Sequence, residues 1–171
     1  IVVAVDPAAS SAATADETGI IVAGTFGDHA YVLADHSMRG APEQWAEAVV
    51  QAYITYEADV IVYEANQGGE MVASTLRAAC AQLNVALSKV NLKAVHASRG
   101  KRTRAEPIAV AYTAQGGRLV HHTRNFPDLE DQLCTWVPGE PSPDRMDALV
   151  WALSYLLESV KPARRKLRFV S

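Results

Sequence analysis

Apolar residues recur along this chain in two rhythms, one of strands and one of helices. Ile1 to Val5 is an unbroken apolar run, rich in β-branched side chains, which predicts a strand buried on both faces; Asp6-Pro7 ends it. Gly19 to Phe26 and His29 to Ser37 are two further apolar segments joined by Gly27-Asp28, a hairpin signal. Three adjacent strands therefore open the domain. Pro42 starts a helix in which Trp45, Ala46, Val49, Val50, Tyr53 and Tyr56 recur at spacings of three and four. Val60 to Tyr63 is a second buried-type strand, ending on Glu64. Ala65 to Gly69 breaks the pattern, and Met71 to Leu83 resumes helical spacing.

The second half continues the alternation of strand and helix. Val90 to His96 predicts a strand, Ser98 to Arg104 a basic loop, and Ala105 to Gln115 a helix stopped by Gly116-Gly117. A short extended piece, Arg118 to His122, and a helix from Pro127 to Trp136 follow. Ser142 as N-cap and Pro143 at the first helical position open a last helix to about Glu158. The pattern predicts an α/β fold, a mixed sheet of three antiparallel strands plus parallel strands, flanked by helices. Residues 1–160 are expected to form one domain, and 161–171 a basic tail.

Two strand ends carry acids, Asp6 and Glu64. Like charges held close together repel, and a divalent cation between them removes the conflict. Oxygen donors without His or Cys at ligand spacing favour magnesium or manganese over zinc. The last helix offers a third acid in Asp144 or Asp147, three apart and on nearly one face. Spacing does not choose between them. An acid in the first turn stabilises the helix dipole without any chemistry, which explains Asp144; Asp147, expected in the second turn among Met146, Ala148, Leu149 and Val150, ranks above it as a ligand. For Asp6 the plain alternative is a turn residue ahead of Pro7. Glu64 has less of one, because Glu is a poor strand-end turn residue.

Composition refines this picture. About half the residues are apolar, enough for a core, and no run is long enough to cross a bilayer, so a soluble intracellular protein with no membrane contact is expected. Cys80 and Cys134 lie far apart and suggest two buried thiols. The net charge of −3 argues against a strong nucleic-acid binder as a whole. Its distribution argues otherwise: Lys89, Lys93, Arg99, Lys101, Arg102 and Arg104 form one basic stretch, and Lys161, Arg164, Arg165, Lys166 and Arg168 another. Lys101, Arg102 and Arg104 are candidate phosphate contacts, with a solvated basic loop as the alternative. Gly68-Gly69 before a helix would allow close backbone approach to DNA, or simply make a tight turn. His121-His122, adjacent in an extended piece, point to opposite faces and read as surface histidines rather than ligands.

Five motifs occur in one order: Asp6-Pro7; Glu64-Ala65-Asn66-Gln67-Gly68-Gly69; Lys101 with Arg104-Ala105-Glu106-Pro107; Tyr112 with Gly117-Arg118; and Ser142-Pro143-Asp144-Arg145-Met146-Asp147-Ala148-Leu149. This series, spanning roughly Ile1 to Leu157, resembles the C-terminal nuclease domain of tailed-bacteriophage large terminase subunits, of the ribonuclease H-like superfamily. The resemblance implies an endonuclease that cuts concatemeric viral DNA during genome packaging, in the host cytoplasm. It carries the metal-binding, catalytic acids onto Asp6, Glu64 and Asp147, and an accessory acid onto Asp144. Two Mg²⁺ or Mn²⁺ ions, double-stranded DNA, and the portal and small terminase subunit are the cofactors and partners it implies. No GxxxxGK[ST] phosphate loop occurs, and the chain opens on Ile1 directly into a strand, so an N-terminal ATPase domain is expected in a longer chain.

Two other readings share these residues. A RuvC-like Holliday junction resolvase would use the same acids in a dimer, but such enzymes usually carry Gly soon after the first Asp-Pro, where this chain has Ala8-Ala9. A non-catalytic module that binds DNA or the portal would have no need of all three acids.

Overall fold

A computed structural model of the chain describes residues 1–7, 17–65, 68–96, 100–113, 117–137 and 139–160. The N-terminal apolar run forms β1 (Val2–Asp6), whose Val2 to Val5 are fully buried. The hairpin follows as β2 (Gly19–Phe26) and β3 (His29–Asp35), with Gly27 at φ 60 in the turn, where lack of a Cβ removes the steric penalty. Then come α1 (Pro42–Thr55), β4 (Val60–Glu64), α2 (Gly69–Gln82) and β5 (Leu92–Val95). The chain continues through α3 (Lys101–Tyr112), β6 (Val120–His122), α4 (Pro127–Thr135) and α5 (Asp144–Val160).

The six strands form one sheet in the order β5-β4-β1-β2-β3-β6. β2 runs antiparallel to both β1 and β3, while β1–β4, β4–β5 and β3–β6 are parallel pairs. Five strands therefore point one way and end at one edge, with β2 starting there. This is the expected mixed sheet, three antiparallel strands plus parallel additions.

Side-chain alternation divides the core between two faces. Val3, Val5, Ile20, Val22, Ile61 and Tyr63 pack against α1 and α2. Val2, Ala4, Ile21, Ala23, Val60 and Val62 pack against α5, with α3 and α4 beside it. Leu149 and Leu153 of α5 are fully buried; each such side chain stabilises the fold by roughly 1.5–3 kcal/mol relative to exposure.

Helix ends explain where the observed boundaries fall. At the start of α1 the Gln44 side chain accepts the Ala41 N–H at 2.8 Å, and Pro42 needs no donor of its own there. α1 and α2 close alike: Ala58 N–H reaches back to the Tyr53 carbonyl and Val85 N–H to that of Cys80, around Glu57 (φ 48) and Asn84 (φ 55). β3 stops at Asp35, two residues short of the expected Ser37, and a 3₁₀ turn over Leu87–Lys89 delays β5 to Leu92. The basic stretch is not a loop as far as Arg104. α3 begins at Lys101, where the Gly100 carbonyl accepts the Arg104 N–H at 3.3 Å, and it ends at Tyr112. Of the expected glycine stop, Gly116 lies outside the described residues, as does the tail 161–171. Cys80 is buried but Cys134 is exposed, contrary to expectation, because it lies on the solvent side of α4.

Candidate active site

β1 and β4 are adjacent parallel strands with Val5 opposite Tyr63, so Asp6 and Glu64 are the next residues out at the same edge. Neighbouring strands lie about 4.8 Å apart. Alternation puts both acids on the face of Val2, Ala4, Val60 and Val62, the face that α5 covers. Both are half-buried.

The start of α5 is held directly over this edge. Gly19, the first residue of β2, pairs with Asp6, and a Cβ built on Gly19 would lie 2.0 Å from the Asp144 carbonyl oxygen and 3.0 Å from Ala148 Cβ. Only glycine lets the helix come so close. The first turn of α5 therefore brings Asp144 and Asp147 to the end of the sheet where Asp6 and Glu64 lie. Asp147 is 4% exposed and accepts a 2.5 Å hydrogen bond from the Ser142 hydroxyl, itself buried.

Two expectations change here. Ser142 does not occupy the N-cap: α5 begins at Asp144, and the Pro143 carbonyl accepts the Asp147 N–H at 3.0 Å. Asp147 is consequently in the first turn with Asp144, so the dipole argument no longer separates them. Burial and the Ser142 bond do, since Asp144 is only half-buried.

An acid that sequence reasoning missed lies along the same edge. Opposite Val22 and Ala23 of β2 stand Ala34 and Val32, leaving Leu33 as an extra residue. This bulge reverses the alternation, so that Asp35 pairs with Ile21 and turns to the α5 face. Arg145 meets it there: Nη1 donates to Asp35 Oδ2 at 2.6 Å, while Nε and Nη2 donate to Glu17 at 2.8 and 2.7 Å. Asp35 also accepts the Ser37 N–H. The side chains are largely shielded, at 13% exposed for Arg145, 19% for Glu17 and 7% for Asp35. Burial alone would lower the Arg145 pKa, but the two carboxylates outweigh it and push it up. No period or spacing in the sequence marks a bulge, which is why Asp35 escaped notice.

The candidate basic contacts separate. Arg102 is exposed and pairs with Glu106 one turn on at 2.9 Å. Arg104 instead lies half-buried with its guanidinium 4.2 Å from the Trp151 ring centre, its Nε and Nη1 hydrogens buried without an acceptor among the described residues. Lys101 begins α3, which starts at the same edge as α5 because it follows β5. Gly68 takes φ 75 ahead of α2, and a Cβ there would make an ordinary 3.8 Å contact with Met71 Cε. A Cβ on Gly69 would lie 2.7 Å from that of Ala65, so its close approach is to the protein's own chain.

His121 and His122 point to opposite faces as expected, yet both are half-buried and engaged. His121 Nε2 is 2.8 Å from His29 Nδ1 and its ring stacks on Tyr31. His122 Nδ1 meets Glu130 and Nε2 meets the Tyr112 hydroxyl, each at 2.8 Å. Burial, then the Glu130 charge, raises the Tyr112 hydroxyl well above the usual tyrosine range, and through His122 that hydroxyl ties α3 to β6.

Residues 3–158 match the terminase RNaseH-like domain. The chain belongs to that family. No curated protein sequence shows significant similarity to it. In three dimensions this terminase RNaseH-like domain is similar to the fowlpox virus resolvase, from a crystal structure with substrate Holliday junction DNA. The TM-score is 0.56 at 12% identity, covering 94% of this chain and 99% of the resolvase. It also aligns with Thermus thermophilus RuvC at a TM-score of 0.44 and 14% identity, over 95% and 96% of the two chains. The fold is ribonuclease H-like, and family membership supports a nuclease.

The donor set of this terminase domain suits a hard cation: carboxylate oxygens on one face and one edge, with no thiolate or imidazole among the candidate acids. Among the described residues, no three Asp, Glu, His or Cys side chains converge into a ready-made cage.

Proposed function

We propose that this domain is a divalent-metal-dependent DNA endonuclease that cuts concatemeric viral DNA during packaging. One observation carries the reading: Asp6 and Glu64 end adjacent parallel strands on the face where Gly19 admits the first turn of α5, with Asp147. Carboxylates gathered at one sheet edge are the hard oxygen donors that a divalent-metal-dependent phosphodiester hydrolase uses.

Asp6, Glu64 and Asp147 would hold two Mg²⁺ or Mn²⁺ ions, with Asp144 as an accessory ligand. When bound, such ions supply a low-pKa water and neutralise charge on the leaving oxygen. The chain's own contribution is orientation. The Ser142 hydroxyl fixes one oxygen of Asp147 and so directs the other. The sheet places Asp6 and Glu64 side by side without flexible loops between them and the core. Lys101 and Arg102, in the first turn of α3 at the same edge, would bind phosphates of double-stranded DNA. Arg104, stacked on Trp151, would instead brace α3 against α5. A longer chain would add the ATPase domain, and the portal and small terminase subunit would be packaging partners.

The test is nicking of supercoiled plasmid at low salt with Mn²⁺, Mg²⁺ or EDTA. Metal-dependent nicking should fall at least 100-fold in each of Asp6→Asn, Glu64→Gln and Asp147→Asn, because each removes a ligand charge. A folded wild-type domain that binds DNA but fails to cut it with either metal would point to a binding module instead.

A further inference from the structure

We infer that Arg145 is a positioning residue, whose fork onto Glu17 and Asp35 fixes the first turn of α5, and with it Asp144 and Asp147, over the ends of β1 and β4. All three guanidinium nitrogens are engaged: they donate to Glu17 just before β2 and Asp35 at the end of β3, and Nη2 also lies 3.4 Å from the exposed Asp128 carboxylate of α4. A planar fork that reaches two carboxylates sets direction as well as distance, which a point charge does not. The network extends to α4. Gln132 Nε2 donates to Glu17 at 3.4 Å while its Oε1 accepts the Met146 N–H at 3.3 Å, one of the first-turn amides that α5 cannot satisfy within itself.

The same contact keeps Asp35 out of the site. Asp35 is a strand-end acid on the face of Asp6 and Glu64, and its two oxygens are taken by Arg145 and the Ser37 N–H. With Arg145 in place, its charge is neutralised where a further carboxylate would compete for cations or repel DNA. The role of Asp35 is thus to hold Arg145, and the role of Arg145 to place Asp147 two residues on.

This inference rests on the nuclease reading for its purpose, but its structural part is tested without metal. Hydrogen exchange on the metal-free domain would be compared for wild type, Arg145→Met, Arg145→Lys and Asp35→Asn. The Met146 and Asp147 amides, bonded to Gln132 and Pro143, should exchange at least tenfold faster in Arg145→Met, with Leu149 to Leu153 and the β1 amides unchanged. Arg145→Lys, which keeps the charge but loses the fork, should lie between. In plasmid nicking the half-saturating Mn²⁺ concentration should rise about tenfold in Arg145→Met, with a smaller change in the rate at saturating Mn²⁺. Unchanged first-turn exchange, or equal acceleration through β1 and all of α5, would overturn the assignment. So would an unaltered Mn²⁺ requirement in an active variant. If Arg145→Met does not fold, Asp35→Asn, which removes one arm of the fork, decides by the same measurements. A wild type that fails to nick with either Mn²⁺ or Mg²⁺ would defeat the nuclease reading, while the exchange data would still decide whether Arg145 holds the turn.

Discussion

At the scale of single residues, Gly19 is the most demanding position near the site. The Asp144 carbonyl lies where its side chain would begin, so even one methyl forces α5 away from β2. Gly19→Ala should destabilise the domain by about 1–3 kcal/mol in urea unfolding. It should also depress nicking, because the displaced turn carries Asp144 and Asp147. A variant as stable and as active as wild type would mean that α5 has room to shift without moving its acids. Asp6 and Glu64 were legible in the sequence because each closes an apolar run. Asp35 was not, since the bulge at Leu33 that turns it towards Arg145 arises only from pairing with β2.

Between elements, β6 and α4 are joined through polar contacts that can be titrated. The His122 side chain, and then the Phe126 N–H, hydrogen-bond Glu130 and hold its carboxyl below the ordinary value of 4.5. A carboxyl lowered on folding adds stability above its ordinary value, and that stability is lost as pH falls through the lowered one. Glu130→Gln should therefore lower the urea midpoint at about pH 6, and the gap from wild type should close as pH falls below the ordinary value of 4.5 and through the lowered one. A gap independent of pH would assign the effect to packing instead. The helices and strands themselves were mostly read correctly, but α3 begins at Lys101 rather than Ala105. Charged residues at a helix start leave no apolar period to detect, and the defining event is a backbone bond from Arg104 to Gly100.

For the whole molecule, charge placement matters more than the total of −3. If Lys101, Arg102 and a few neighbours contact phosphates, duplex binding should weaken steeply with salt. Arg102→Ala should lower the magnitude of the log–log salt slope by about 1 and weaken binding alike on unrelated sequences. Fluorescence anisotropy between 50 and 200 mM salt, to order-of-magnitude accuracy, measures both. An unchanged slope would place the DNA path elsewhere, with the Arg102–Glu106 pair as a solvated surface feature.

Taken alone, the sequence determined the layers of this protein and two of its candidate acids. Hydrophobic period is local: it says which side of a strand or helix must be covered, and where a run stops on Asp6 or Glu64. It does not say what does the covering. That β1 and β4 are neighbours, that Gly19 lets α5 touch the sheet, and that Asp35 faces Arg145 were decided by tertiary structure. These are contacts between residues far apart in the chain, set by strand order, a bulge and close helix packing. The same is true of Asp147. Its rank over Asp144 first rested on helix position, which the fold corrected, and now rests on burial and the Ser142 hydroxyl.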